Sequence, residues 1–155
     1  MPRDRKIKKR IIASDPIYKS RVLTRFINRL MLNGSKSISK SIVYDTLGEL
    51  SGDKKEAVRI FESAVKNVMP KVEVRSRRVG GATYQIPVPL KHDRSEALAI
   101  RWIIEAGRRK RGKPMSEKLR DEISAAANVQ GDAIKKRDDT HKMAEANKAF
   151  AHFRF

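Results

Sequence analysis

The sequence predicts a mainly α-helical protein: six helices in a single domain, with a protruding two-stranded β-ribbon between the third and the fourth. Three observations carry that prediction. Apolar residues recur at helical spacing in five separate stretches, with a sixth helix opened by Asp132, one stretch alone alternates with period two, and the connections are as short as a compact helical body requires. A chain of 155 residues is long enough for one real core. No internal repeat, low-complexity segment or inner boundary interrupts it.

Residues 1–14 hold Arg3, Arg5, Lys6, Lys8, Lys9 and Arg10 against a single Asp4, with no helical or strand period. Such a segment reads as a disordered basic tail that orders on meeting phosphate, or more plainly as a solubilising terminus. Asp15-Pro16 marks a turn, and the domain proper spans 15–155. From Ser20, Val22, Leu23, Phe26, Ile27 and Leu30 form the core face of a first helix, closed by Asn33-Gly34. Arg21, Arg25 and Arg29 stack at i, i+4 and i+8 on another face. Like charges at that spacing repel, so the pattern points to an anionic partner unless it is merely a solvated face.

Ser35 is placed to cap a second helix carrying Ile38, Ile42, Val43, Leu47 and Leu50, with Lys36 in its first turn. Asp53 with Glu56 resembles a capping box before a third helix, whose stripe is Ala57, Val58, Phe61, Ala64, Val65 and Val68. Pro70 stops it. Asp93 and Glu96 repeat the capping pattern before a fourth helix with Leu98, Trp102, Ile103 and Ala106 inward. Trp102 lies within that stripe and reads as a core anchor, while Arg94, Arg101 and Arg108 recur every seven residues on the other side. A basic connector, residues 108–113, includes Arg109 and leads to Pro114 at the first position of a fifth helix with Leu119, Ile123 and Ala126 inward. Asp132 opens a sixth, which runs through Lys135, Lys136 and Arg137 to an aromatic and basic ending.

The ribbon is the stretch 72–89, VEVRSRRVGGATYQIPVP. Val72 and Val74 alternate with polar residues, as do Tyr84, Ile86 and Val88, and Gly80-Gly81 supplies the positive φ values of a tight reversal. A strict two-residue turn sets Val74 opposite Pro87 and Arg75 opposite Ile86. A three-residue turn or a bulge sets Val74 opposite Ile86 and Val72 opposite Val88. The second register is expected, because it collects the apolar side chains on one face and leaves Arg75 and Arg77 on the other, with Arg78 beside the tip. Pro87 and Pro89 donate no ladder hydrogen bonds, which makes this an edge pair and not part of a larger sheet.

Composition points to the partner. Lys plus Arg number 36 against 18 Asp plus Glu, a formal charge of +18. An excess of that size is self-repelling until a polyanion neutralises it, and nucleic acid is the usual polyanion. The absence of cysteine excludes disulfides, thiolate metal sites and thiol nucleophiles. No apolar run is long enough to span a membrane, and Ile11-Ile12-Ala13 is too short for a signal-peptide core. Of three histidines, His141 shares a helix face with Asp138 and Glu145, but Lys142 and Lys148 crowd it with positive charge and no second histidine lies at i+4. The sequence offers no evident nucleophile or triad-type orienting residue for His92 or His152. No enzyme, cofactor or metal site is legible. A DNA-binding regulator using the Arg21, Arg25, Arg29 helix is the first rival, though Asn or Gln for base readout is lacking among those arginines. A nuclease is the second, and it would need a carboxylate cluster or paired histidines.

Several segments resemble the small-subunit ribosomal protein seven family of bacterial or organellar type: KSISKSIVY (36–44), the whole ribbon (72–89), ALAIRWI (97–103) and above all GDAIKKRDDTHKMAEANKAFAHFRF (131–155). The resemblance implies a primary ribosomal RNA-binding protein that organises assembly of the head of the small subunit. It also implies a ribbon and C-terminal helix near the exit-site transfer RNA and the messenger RNA exit path, beside neighbouring head and platform proteins. Its setting is then a ribosome, in a bacterial cytoplasm or an organelle, and some members repress translation of their own messenger. Carried over by position, the tail basics, Lys36, Arg75, Arg77, Arg78, Arg94 and Arg101 match positions facing ribosomal RNA, and Arg108 and Arg109 continue that surface; Arg21, Arg25 and Arg29, singled out by their spacing alone, are expected to bind the same RNA. Lys135, Lys136, Arg137, His141 and Lys142 match the part facing transfer RNA or the platform. Asp4 departs from a more uniformly basic tail, and Phe153-Arg154-Phe155 stands where many relatives have Tyr and Trp.

Overall fold

The structure, a computed structural model, describes residues 11–153. Within them lie α1 (Arg21–Leu30), α2 (Lys36–Leu50), α3 (Lys54–Val68), β1 (Val72–Val79), β2 (Ala82–Pro89), α4 (His92–Arg109), α5 (Met115–Ala127), α6 (Asp132–Ala146) and a terminal 3-10 helix (Lys148–Phe153). The fold is mainly α, with an antiparallel pair of strands between α3 and α4.

Helix α3 is the hub, packed against α2, α4, α5 and α6. Its stripe of Ala57, Phe61, Ala64, Val65 and Val68 is buried, as the periodicity requires, and Phe61 meets Phe26 of α1 edge to face at 5.2 Å between ring centroids. Leu23, Val43, Leu47, Ile103, Leu119 and Ile123 complete a continuous core, and Trp102 is buried within it. Each such side chain contributes about 1.5–3 kcal/mol, which is why the helices hold despite the charge around them.

Local signals are realised with shifts of a residue or two. Ser20 caps α1 through Leu23 N, and α1 ends at Leu30, ahead of the left-handed Asn33 and Gly34. Asp53 caps α3 by accepting from Lys55 N, but its own N–H donates to Ser51 Oγ at 3.2 Å, so the box with Glu56 is half made. Helix α2 starts after Ser35 without a side-chain cap, and Pro114 sits at the N-cap of α5, one position before the expected one. The pair Asp93 and Glu96 does not cap α4, which begins at His92. The Glu96 carboxylate is drawn instead to Arg25, whose charge on a neighbouring helix outweighs a neutral backbone N–H. Ile38, expected inward, is 61% exposed, because α2 buries Ser39, Val43, Thr46 and Leu47 and turns that position outward.

The ribbon takes the register not expected. Val74 pairs with Pro87, Arg75 with Ile86 and Arg77 with Tyr84, so Arg75, Arg77, Tyr84 and Ile86 share one face while Val72, Val74 and Arg78 lie on the other. The turn decides this. Gly80 and Gly81 both have positive φ, +58° and +91°, which makes a two-residue reversal whose twist matches the strands without a bulge. Segregating apolar from basic side chains is not needed, because the ribbon is not alone: β1 and β2 both touch α6, and β2 rests on the terminal 3-10 helix.

Candidate nucleic-acid interface

The basic residues fall into three groups. The first lies between α1 and α4, where Arg25, Arg29, Asp93, Ala97, Ile100 and Arg101 line a cleft of about 220 Å³. Arg25 Nη1 is 2.8 Å from Glu96 Oε1, so one of the three stacked arginines has its counter-charge inside the protein. Arg29 and Arg21 are exposed. Arg101 Nε is buried with no hydrogen-bond partner among the described residues. A cationic donor left unsatisfied in this way is costly unless an anion meets it. Arg108 donates from Nη2 to Leu30 O at 2.9 Å and closes the end of α1, while Arg109 and Lys36 are exposed.

The second group is the ribbon and its root. Glu73, only 8% exposed, is shared by two arginines: Arg75 donates from Nε at 2.6 Å, and Arg94 of α4 donates from Nη2 at 3.2 Å. One buried carboxylate thus aims two guanidinium groups along a single edge. Nearer the tip, Arg77 and Arg78 are exposed on opposite faces, so the ribbon offers cations to both sides rather than to one.

The third group is α6. Lys135, Lys136 and Lys142 are exposed, with Lys135 Nζ 3.9 Å from Asp132. The other two residues expected to face a partner are engaged inside the protein. Arg137 donates to Asn67 O and pairs with Asp138, and His141 Nε2 accepts from Lys71 N at 3.0 Å. Burial, together with the nearby Arg137 and Lys71, holds the His141 imidazole below its ordinary pKa, although Asp138 opposes them. An imidazole that accepts a hydrogen bond and resists protonation is a structural latch. The triplet Asp138, His141 and Glu145 forms no metal centre, and no cluster of metal-ligating side chains exists among the described residues.

The six tail positions from Arg3 to Arg10 lie outside the described residues. Just after them, Asp15 is buried, accepting from Ile17 N, Tyr18 N and the Tyr44 hydroxyl, the last at 2.9 Å. Burial and this carboxylate push the Tyr44 phenol up to about 12. The sequence shows Asp15 as a turn former, but not that Tyr44 on α2 pins that turn to the body.

Buried carboxylates are what sequence reasoning missed, and for Glu122 a signal exists. Leu119, Glu122, Ile123 and Ala126 keep the i, i+3, i+4, i+7 spacing of an inward face, and Glu122 is fully buried on it. Its Oε1 accepts from Ala133 N at 3.0 Å, and Lys110 Nζ lies 2.6 Å from Oε2. Gly131 is required beside it, since a Cβ there would come within 2.9 Å of Oε1 at a φ of +96°.

Fold and surface together define a class: a cationic helical scaffold with a rigidly rooted basic arm. The chain belongs to the ribosomal protein S7p/S5e family, whose model matches residues 2–148, a family of structural components and not of enzymes. It is 54% identical, over the full length of both chains, to the small ribosomal subunit protein uS7 of Pelotomaculum thermopropionicum. The proteins of the same name from Paracoccus denitrificans and Fervidobacterium nodosum are each 51% identical, over 100% and 99% of both chains.

Proposed function

We propose that this protein is a structural constituent of the small ribosomal subunit that binds small-subunit ribosomal RNA early and organises the head during assembly. The observation that carries the reading is the cleft between α1 and α4, which brings the exposed Arg29 and the half-buried Arg25 and Arg101 together. Backbone phosphates meet the accessible guanidinium groups along this cleft, and the arginine fork is shaped for them. A-form RNA hides its base edges in a deep, narrow groove, so the protein reads the shape and backbone of a helix junction. Residues 1–14 act as a basic tail that orders on the RNA, and residues 15–155 as one domain. The ribbon, with Arg77 and Arg78, and the exposed lysines of α6 lie along the path of messenger RNA and exit-site transfer RNA, next to head and platform proteins. The protein works in the ribosome, in a bacterial cytoplasm. The organellar alternative has the same chemistry. A messenger that presents a similar junction competes for the same surface, which makes repression of its own translation a second consequence.

The test is binding to the head domain of small-subunit ribosomal RNA across a salt series with duplex DNA as competitor. With six to ten phosphates engaged, affinity falls about 10³ to 10⁵-fold between 50 and 200 mM salt. Arg101→Ala weakens binding and lowers the salt slope by about one, whereas Lys54→Ala, on the exposed start of α3, changes neither. Equal affinity for duplex DNA at the higher salt would restore the DNA-binding alternative.

A further inference from the structure

A two-stranded ribbon is marginal by itself in water, yet this one is held at both ends of its length. At the root, Leu90 N donates to Lys71 O at 3.0 Å, Lys71 N donates to His141 Nε2 of α6, and Glu73 ties to Arg94 of α4. Near the tip, Tyr84 rests on Phe150 of the terminal 3-10 helix, ring centroids 5.2 Å apart and planes tilted by 49°. Tyr84 lies five residues before Pro89 at the root, about 17 Å along the strand at roughly 3.3 Å per residue. For a lever hinged at one end, the angular stiffness a contact gives grows with the square of its distance from the hinge. The aromatic contact therefore restrains swing far more than any contact at the root.

The supporting element is itself anchored. Arg137 of α6 donates to Asn67 O of α3, and Asn67 Nδ2 donates to Ala126 O and Ala127 O at the end of α5, at 3.1 and 3.0 Å. The start of α6 is fixed by Glu122 through Ala133 N. Load on the ribbon thus passes through α6 into the hub of the helical body.

We propose that α6 and the terminal 3-10 helix form a strut that sets the angle of the ribbon to the body, with His141 holding the root and Phe150 propping the strand near the tip. A partner that draws the 3-10 helix away releases the ribbon, so the C-terminal segment and the arm are mechanically coupled. The coupling is a property of the free protein and does not depend on which nucleic acid the ribbon meets.

The chain has no cysteine, so spin labels can be placed cleanly on the full-length protein through Thr83→Cys on the ribbon and Ser63→Cys on α3, both exposed. The distance between them is then read by pulsed electron resonance. Phe150→Ala is expected to widen the distance distribution roughly twofold, since the strand about 17 Å from the root then loses its aromatic support. Tyr84→Ala removes the same contact from the other side, so the test stands on either variant that keeps its native far-ultraviolet circular dichroism. The double variant should be narrower than the sum of the two single effects, because both remove the shared aromatic contact. His141→Ala should also widen the distribution, and His141→Gln, whose amide oxygen can accept from Lys71 N, should restore it. An unchanged width in natively folded Phe150→Ala or Tyr84→Ala, or widths that add in the double variant, would overturn the strut.

Discussion

Single buried carboxylates organise this cationic chain. Glu122 joins the α4–α5 connector, through Lys110, to the start of α6, and it has no access to solvent. Glu122→Ala should cost about 2–4 kcal/mol, because it strands Ala133 N–H and leaves a void, while Glu122→Gln keeps the acceptor and should cost about half as much. The midpoint of urea unfolding measures both. His141 predicts a pH dependence with a definite sign. Its folded pKa lies below the ordinary 6.5, held down by burial, Arg137 and Lys71 against Asp138. The unfolded chain therefore binds more protons in that window, so stability from this group is full above about 6.5 and is lost as pH falls through the folded value. Thermal melts of the protein and of His141→Gln should converge at low pH as that contribution disappears.

Among the elements, the ribbon shows how a turn overrules a pattern. Apolar alternation favoured one register; two consecutive glycines with positive φ imposed the other, and each side chain changed its expected neighbours across the pair. Gly80→Asn should be nearly neutral, since Asn tolerates a φ near +58°, whereas Gly81→Val at +91° should destabilise the ribbon by about 1–3 kcal/mol. Open space surrounds both positions, so the penalty is conformational and not steric. Amide exchange should speed up in residues 72–89 while the amides of α3 and α5 keep their protection, which separates local from global unfolding. Helix capping shows the same competition. Asp53, on an exposed end, caps as its sequence suggests, but Glu96 abandons the start of α4 for the cation of Arg25.

The whole molecule carries a formal charge of +18, and among the described residues the buried carboxylates Glu73 and Glu96 hold arginines at the ribbon root and beside α1. Self-repulsion in the free state follows, and with it a strong linkage between anion binding and stability. Adding the ribosomal RNA head fragment at about 100 times its dissociation constant should raise unfolding free energy by about 2.7 kcal/mol. Hydrogen-exchange protection of the core helices at matched salt checks this.

The sequence by itself determined the helices, the place of the ribbon, the core stripes and the sign and scale of the surface charge. These depend on period and composition, which are local properties of the chain. Tertiary structure alone decided which cations remain available. Arg25, Arg75, Arg94, Arg137 and His141 look alike in a basic sequence. They differ because each meets a specific group, Glu96, Glu73, Asn67 O or Lys71 N, brought from 2 to 71 residues away. Most of those partners are distant in the chain, and a pairing energy that falls with distance in space leaves no periodic trace in sequence.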